Sequence, residues 1–390
     1  MRILFTGGGT GGHLYPIIAI IQAIRDIERE ENLIDVQLFY AGDAPYSKQF
    51  FYDNEVQIKK INTGKRRQYF SILNFFDIFK TFFAFLDAFW YLYNLYPDVV
   101  FGKGGAVSFP VLLSAKLLQI PVMIHESDSA PGRTNLWAAK FAKSIAISYP
   151  EAANDFPKEK TVLTGNPVRK EMLNPVTEGA REFLKLEEST PIITVLGGSQ
   201  GSQVINSTIF GALPELLERY QIIHQVGEKN IKLVESILEG ILTGNDHRYR
   251  YKYFGHLNDL AMKMSAGVSE LVISRAGSTI FEIAVWKKPS IIIPIHHSNG
   301  DHQMKNAYYY ARSGAAVVIE EENLTPHVLV AEIDRIMQHP DLKEKMSQAA
   351  GAFADTTAAE KIGRQLIKLA FHEEQKKNPK EESKEEKKEK

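Results

Sequence analysis

Residues 271–306 read LVISRAGSTIFEIAVWKKPSIIIPIHHSNGDHQMKN, and the fold follows from them. The β-branched run Leu271-Val272-Ile273 predicts a buried strand. Ser274-Arg275-Ala276-Gly277-Ser278 is turn-forming, 279–286 carries a helical pattern that Lys288-Pro289 stops, and 290–294 is the next strand. Strand, glycine turn, helix, strand is one βαβ unit, with a helix N-terminus at the carboxyl end of its first strand. Unbonded N–H groups and the helix dipole at such a point favour an anion such as a diphosphate. Glu282, one turn into the helix, is placed to hold a ribose diol; the alternative is an ordinary α/β turn with a solvated carboxylate.

The same pattern recurs towards the N-terminus. Residues 2–5 predict a strand, TGGGTGGH (6–13) a loop, and 14–27 an apolar helix. Gly7, Gly9 and Gly12 match G-x-G-x-x-G, with Asp43 after the strand 36–40, which invites a dinucleotide-binding reading. Two adjacent glycine pairs make that loop wider than hydride transfer needs. His13 also points a titratable nitrogen at whatever anion the loop holds, either as a hydrogen-bonding group or as a base. Further on come a strand at 98–101, a second glycine loop GKGG (102–105), a helix to Leu118, and a strand at 121–124 ending in His125-Glu126-Ser127-Asp128. Two glycine loops and an acidic strand end thus converge on the carboxyl edge of the first sheet, where ligands of open α/β sheets bind. Glu126 either serves that ligand or caps a neighbouring loop.

Strands at 144–148 and 161–163 close this half, and GNPVR (165–169) is the hinge. A second α/β pattern begins at 191–196, with LGGSQG (196–201) before a helix starting near Val204 and strands at 222–225 and 249–254. The chain therefore predicts two successive Rossmann-like halves whose parallel sheets face a central cleft. After a strand at 316–319 come helices at 326–337, 342–354 and 358–371, and then 373–390, almost entirely Lys and Glu, which predicts disorder or a frayed helix. The expected domains are 1–165, 166–354, a C-terminal helix over 355–372 that can return to the N-terminal domain, and the tail 373–390.

A length of 390 residues suits two domains, and 44% hydrophobic with 24% charged residues marks a soluble globular chain. A net charge of -1 argues against wholesale nucleic-acid binding. The absence of cysteine excludes disulfides, thiol catalysis and thiolate-bound metal. MRILFTGGG is too short a start for a signal peptide, so the expected compartment is cytoplasmic. The segment 69–96, YFSILNFFDIFKTFFAFLDAFWYLYNLY, follows Lys65-Arg66-Arg67. Asn74, Asp77, Lys80, Asp87 and Asn94 interrupt it and predict one polar face; Phe75, Phe79, Phe82, Phe83 and Trp90 belong to the apolar remainder. An amphipathic helix or helix pair in a membrane interface, with the basic triplet on anionic headgroups, fits this composition. The alternative is a buried core helix.

Seven motifs in register, GGGTGGH, GKGG, HESD, GNPVR, LGGSQG, SRAGSTIFE and DHQMKNA, resemble the MurG family of N-acetylglucosaminyltransferases over roughly residues 1–369. The resemblance implies the GT-B fold, with UDP-N-acetylglucosamine on the C-terminal domain. It places the lipid-linked acceptor, undecaprenyl-pyrophosphoryl-MurNAc-pentapeptide (lipid I), on the N-terminal one, at the cytoplasmic face of the membrane. The product would be lipid II for peptidoglycan synthesis. On the donor side it implies Ser199 and Arg169 at the diphosphate, His256 and Leu257 at the uracil, and Ser278, Thr279, Ile280, Phe281 and Glu282 at the nucleotide, with Glu282 on the ribose. Gln303 would bond sugar hydroxyls, and Thr10, Gly11, Gly12 and Asp128 would line the sugar. Gly8, Gly9, Gly104 and Gly105 would hold the acceptor diphosphate, and 69–96 matches the family's membrane-facing region. Asp128 stands where many members carry Asn, which leaves an acceptor only, and the loop 277–282 is one residue tighter than in some members.

Attack by the acceptor's 4-hydroxyl on the anomeric carbon would pass through an oxocarbenium-like state and invert the linkage. Helix N-termini and Arg169 would meet the charge on leaving UDP, so no metal or other cofactor is required. His13 is the expected base, with Glu126 second. His296-His297 is a poor metal site, because neighbours on a strand point to opposite faces. Competing readings are a soluble UDP-N-acetylglucosamine enzyme such as an epimerase, another lipid-directed GT-B transferase, or a non-catalytic membrane scaffold.

Overall fold

Near-continuous apolar runs such as ILF, VVF and IITVL are what strands buried on both faces require, and such strands pair in parallel. In the computed structural model, which describes residues 1–8, 11–43, 48–61, 63–64, 73–198, 201–296 and 299–377, every strand pair is parallel. The chain divides into unit 1, residues 1–167 with 357–390, and unit 2, residues 168–356.

Unit 1 contains β1 (Arg2–Gly7), β2 (Gln37–Gly42), β3 (Val56–Lys60), β4 (Val99–Gly102), β5 (Val122–Glu126), β6 (Ser144–Ile147) and β7 (Thr161–Leu163), ordered β3-β2-β1-β4-β5-β6-β7. Unit 2 contains β8 (Ile192–Leu196), β9 (Gln221–Gln225), β10 (Tyr251–Phe254), β11 (Leu271–Ser274), β12 (Ser290–Ile292) and β13 (Ala316–Val318), ordered β10-β9-β8-β11-β12-β13. In each sheet the order reverses at one place, β1/β4 in unit 1 and β8/β11 in unit 2. Crossovers leave in opposite directions there and open a crevice at the strands' carboxyl ends. The four glycine-containing loops of the sequence are the four loops at these two switch points.

Each sheet is covered on both sides. In unit 1, Phe5, Ile17, Ile21 and Phe101 pack on one face, and Leu4, Leu92, Val111 and Ile124 on the other. The last helix, Ala358–Lys377, joins the first of these layers through Ile362, Leu366 and Ala370. Gly363 lets its backbone approach the first helix closely, since a Cβ there would lie 3.3 Å from both Ile24 and Ile27. In unit 2, Ile193, Ile209, Leu213, Ile273 and Leu329 centre the core.

The segment 69–96 forms one helix where it is described, Leu73–Leu95, not a pair. Among its described side chains the buried face is narrow, made of Asp77, Ala84, Ala88 and Leu92. Phe79, Phe82, Phe83 and Trp90 are 49%, 54%, 64% and 60% exposed. The expected single polar face is corrected in part: Lys80, Asp87 and Asn94 run along the exposed side, while Asp77, 3.8 Å from the Lys80 ammonium, is itself buried, against Gly64. Heptad spacing aligns the first three, and Asp77, three residues before Lys80, is rotated about 60° from it towards the packed face. Lys65-Arg66-Arg67 and Tyr69 lie outside the described residues, as does the side chain of Phe75.

Several boundaries move. The first long helix runs Gly11–Glu30, so His13 sits in its first turn, not at the end of a loop. β10 starts at Tyr251 because Arg248–Arg250 forms a 3-10 turn. β12 ends at Ile292, so His296 is in a turn beyond the strand, and the opposite-faces argument does not apply to it. Its N–H bonds Glu321 (3.0 Å) and its ring pairs with Glu322 (3.1 Å). The helices Lys48–Asp53, Ile231–Ile241, Asp259–Val268 and His302–Arg312 are additional to those expected, although the apolar spacing of Ile231, Val234, Leu238 and Ile241 carries a helical signal.

Candidate active site

At the β1/β4 switch point of unit 1 the chain must pass backbone close to backbone. Gly8, Gly104 and Gly105 take φ of 143°, 86° and 81°. Such values favour glycine, and a Cβ on Gly104 would meet the Asn135 amide at 3.0 Å. Tyr40 Oη donates to Gly7 O (2.6 Å), which fixes the start of the first loop. His13 lies between the loops. Its Nδ1 is 3.0 Å from Gly8 O, and a Cβ on Gly105 would sit 3.4 Å from its ring. A carbonyl only accepts, so this bond puts the proton on Nδ1 and the lone pair on Nε2, the tautomer a base needs. Gly9 and Thr10 lie outside the described residues, while Gly11 and Gly12 open the helix beside His13.

Glu126, the second candidate base, is committed elsewhere. At the end of β5 it accepts from Asp128 N (3.0 Å), Gly132 N (2.9 Å) and Asn135 Nδ2 (2.9 Å). Its carboxylate organises the turn 127–132, which carries Asp128. Burial and then Asp128 push its pKa up, while Lys103, the Gly132 N–H and Asn135 pull it down. Lys103, in the second glycine loop, is 1% exposed and was not singled out from sequence. Burial lowers its ammonium pKa to about 8 against the opposing pull of Glu126 and Asp128. His125, beneath, bonds Ser148 Oγ and Gly165 O, each at 3.2 Å, and burial and then Lys103 hold it neutral.

At the β8/β11 switch point of unit 2, Gly198 and Gly201 take φ of 85° and 75°. A Cβ on Gly201 would fall 2.0 Å from Val226 O, so only glycine fits. Ser202 caps the helix Gln203–Leu216 by accepting from Ile205 N (3.3 Å). Ser199 lies outside the described residues. Gln225 joins the parts: Nε2 donates to Gly198 O (3.0 Å), and Oε1 accepts from Leu257 N (3.0 Å). It ties the third glycine loop to the segment holding His256 and Leu257. Leu257 is buried and His256 exposed. Arg275 bonds Ser202 Oγ (2.6 Å), Ile293 O (3.0 Å) and Glu321 (2.5 Å), joining the two switch-point loops.

The helix after β11, Thr279–Val285, is short, and the Ser278 hydroxyl does not cap it. Ile280 and Phe281 N–H already bond Gly277 O and Ser278 O, both at 3.1 Å, so fewer free donors remain than the sequence suggested. The side chains of Ile280 and Phe281 are buried in the unit's core, which leaves Ser278, Thr279 and Glu282 to meet a ligand. Glu282 is 13% exposed and 3.8 Å from Arg169, whose guanidinium also bonds Asp259 at 2.5 Å. Burial raises the Glu282 pKa, Arg169 opposes that, and Asp259 adds to it. Gln303 accepts from Ile295 N (3.1 Å), and Asn306 donates to Ala276 O (3.1 Å), bracing the turn before the helix. Sequence reasoning missed Gln225, Asn306, Asp259 and Asn135; Gln225 ends a strand and Asp259 starts a helix, whereas Asn135 and Asn306 lie within helices and reach the loops only through the fold. Among the described residues no group of three or more His, Asp or Glu is placed to hold a metal.

Family models agree with this division. Residues 3–147 match the glycosyltransferase family 28 N-terminal domain and residues 192–362 its C-terminal domain. A protein of Bacillus thuringiensis (strain Al Hakam) is 38% identical over 340 residues, 86% of this chain and 91% of its own. It is named UDP-N-acetylglucosamine–N-acetylmuramyl-(pentapeptide) pyrophosphoryl-undecaprenol N-acetylglucosamine transferase 3. A Treponema pallidum (strain Nichols) protein of the same transferase name is 34% identical over 375 residues, 93% of this chain and 94% of its own. Among solved structures, Acinetobacter baumannii MurG superposes with TM-score 0.68 at 24% identity, covering 94% of this chain and 99% of that one. A UDP-GlcNAc 2-epimerase from Neisseria meningitidis bound to UDP-GlcNAc gives 0.65 at 15% identity, covering 94% and 100%. Both likenesses show the shared two-domain fold.

Proposed function

The chain belongs to glycosyltransferase family 28, among its MurG N-acetylglucosaminyltransferases, and from that membership we propose that it transfers N-acetylglucosamine from UDP-N-acetylglucosamine to lipid I, forming lipid II. The observation that carries this reading is 34–38% identity to relatives named for that transfer, across 91–94% of their own length. The epimerases share the fold at 15–17% identity, which is no support for epimerisation here. Unit 2 is the donor unit in this reading and unit 1 the acceptor unit.

The acceptor's 4-hydroxyl oxygen attacks the anomeric carbon as the bond from that carbon to the UDP oxygen breaks, inverting the centre. The hydroxyl proton passes to His13 Nε2, in keeping with the tautomer that the Gly8 bond favours. Glu126 acts by shaping the turn that carries Asp128. Arg169 turns to the leaving diphosphate, and Glu282 accepts from the ribose. Charge from Arg169 and the backbone N–H groups of LGGSQG suffices for the leaving group, so excess EDTA should leave the rate unchanged.

The helix Leu73–Leu95 serves as a membrane contact on the cytoplasmic face, with anionic lipids as partners. Its row of exposed Phe and Trp side chains supports this, since a contiguous exposed apolar stripe marks an interaction surface. No helix among the described residues is long and apolar enough to cross a membrane. The deciding experiment incubates the protein with UDP-N-acetylglucosamine and a lipid I analogue. Disaccharide-linked product supports the reading; epimerised or hydrolysed UDP-sugar without product sinks it.

A further inference from the structure

Beneath the two glycine loops of unit 1 lies a set of buried polar atoms that the transfer scheme does not use. Thr6 Oγ1, Lys103 Nζ, His125 Nδ1 and Asn135 Oδ1 are all buried without a hydrogen-bond partner. Lys103 is the one that carries charge. Its N–H bonds Thr6 O (2.9 Å), and its Cβ is 3.0 Å from where a Cβ on Gly7 would stand, so the side chain starts between β1 and β4. Nζ makes no hydrogen bond and no ion pair among the described residues.

Glu126 stands one strand over, at the end of β5, which pairs with β4, and Asn135 links it to Gly104, the neighbour of Lys103. Its carboxylate faces three donors, Asp128 N, Gly132 N and Asn135 Nδ2. A carboxylate accepts from all three and carries no hydrogen of its own, so this geometry favours the ionised form. A carboxylate only 4% exposed needs a counter-charge, because burial favours its neutral form. The groups around Lys103 are Glu126 at the end of β5, Asp128 on the following turn and His125 on β5; Asn135 on the helix Arg133–Ala138 and Thr6 on β1 are uncharged. His13, on the first long helix, lies beside Gly105.

We propose that Lys103 is a positioning residue: its buried ammonium is the counter-charge that keeps Glu126 ionised, and through Glu126 it fixes the turn 127–132 that carries Asp128. The consequence for transfer rests on the function proposed above; the electrostatic link does not. Since burial brings the ammonium pKa to about 8, the counter-charge is lost on the alkaline side and the turn loosens there.

The test is a carbon-13 carboxyl titration of Glu126 in the ligand-free full chain, assigned with Glu126→Gln. In the wild type the Glu126 signal should show a second inflection near pH 8, when Lys103 loses its proton; a signal flat through that range overturns the proposal. In Lys103→Met the Glu126 midpoint should rise by about one pH unit or more, and in Lys103→Arg it should stay near the wild-type value while the alkaline inflection disappears. An unchanged midpoint in Lys103→Met overturns the proposal. Disaccharide formation should fall about tenfold or more in Lys103→Met, yet much less when the same change is made on Glu126→Gln, where no counter-charge is needed. An equal fall on both backgrounds means that Lys103 does not act through Glu126. Should wild-type protein form no disaccharide, the transfer reading fails, while the titration still decides the role of Lys103. Should Lys103→Met not fold, the wild-type inflection and Lys103→Arg remain decisive.

Discussion

At the scale of single residues, Glu282 and His13 divide the work between donor affinity and turnover. Glu282 is largely buried beside Arg169, so its carboxylate is held in place before any ligand arrives. Glu282→Ala should weaken UDP binding by about 1.5–3 kcal/mol, the loss expected for a hydrogen bond to a charged acceptor. Titration calorimetry that finds wild-type affinity would remove Glu282 from the donor site. His13→Ala should instead lower kcat far more than UDP affinity, because a base acts mainly in the transition state. Equal losses in both would mark His13 as a phosphate ligand. The sequence pointed to both residues through their place in a glycine-loop motif. It left Glu126 open between base and cap, and the three N–H groups on its carboxylate show the capping role. That answer depended on Gly132 and Asn135, six and nine residues further on, folding back onto β5.

At the scale of elements, the helix Leu73–Leu95 shows why composition alone leaves burial undecided. Aromatic richness suits a core and an interface equally; the difference lies in which residues meet the sheet. Small Ala84 and Ala88 do so, with Leu92 and part of Tyr91, and the rings of Phe79, Phe82, Phe83 and Trp90 point away. Changing Phe79, Phe82 and Phe83 together to Ser should therefore cost little stability, whereas a buried Phe truncation costs about 3–5 kcal/mol each. The variant should bind UDP normally, lose vesicle binding and activity on long-chain lipid I, and keep activity on a short soluble acceptor. Vesicle binding at the wild-type level would rule out this stripe as the membrane contact.

At the scale of the whole molecule, stability responds to pH through buried histidines. His224, on β9, is fully buried, 2.9 Å from Tyr251 Oη, and burial lowers its pKa to about 3. The unfolded chain takes up that proton near pH 6.5, so its stabilising contribution is whole above about pH 6.5 and is lost as pH falls towards about 3. Between about pH 7 and about pH 5 the wild type should lose roughly 2 kcal/mol through this group, a loss that His224→Gln should not show. Parallel pH dependence of urea unfolding in the two proteins would refute this. Local sequence determined most of the rest: parallel strands, two α/β halves, four glycine loops and the family itself, since apolar runs, turn chemistry and motif spacing are properties of short stretches. Only the tertiary structure decided the strand orders, which bring the loops together in pairs at β1/β4 and β8/β11. It alone also placed Ala358–Lys377 on the first unit and left Lys103 buried behind the glycine loops. These depend on contacts between residues far apart in the chain, and such contacts are set by which faces can be buried together, not by any neighbouring residue.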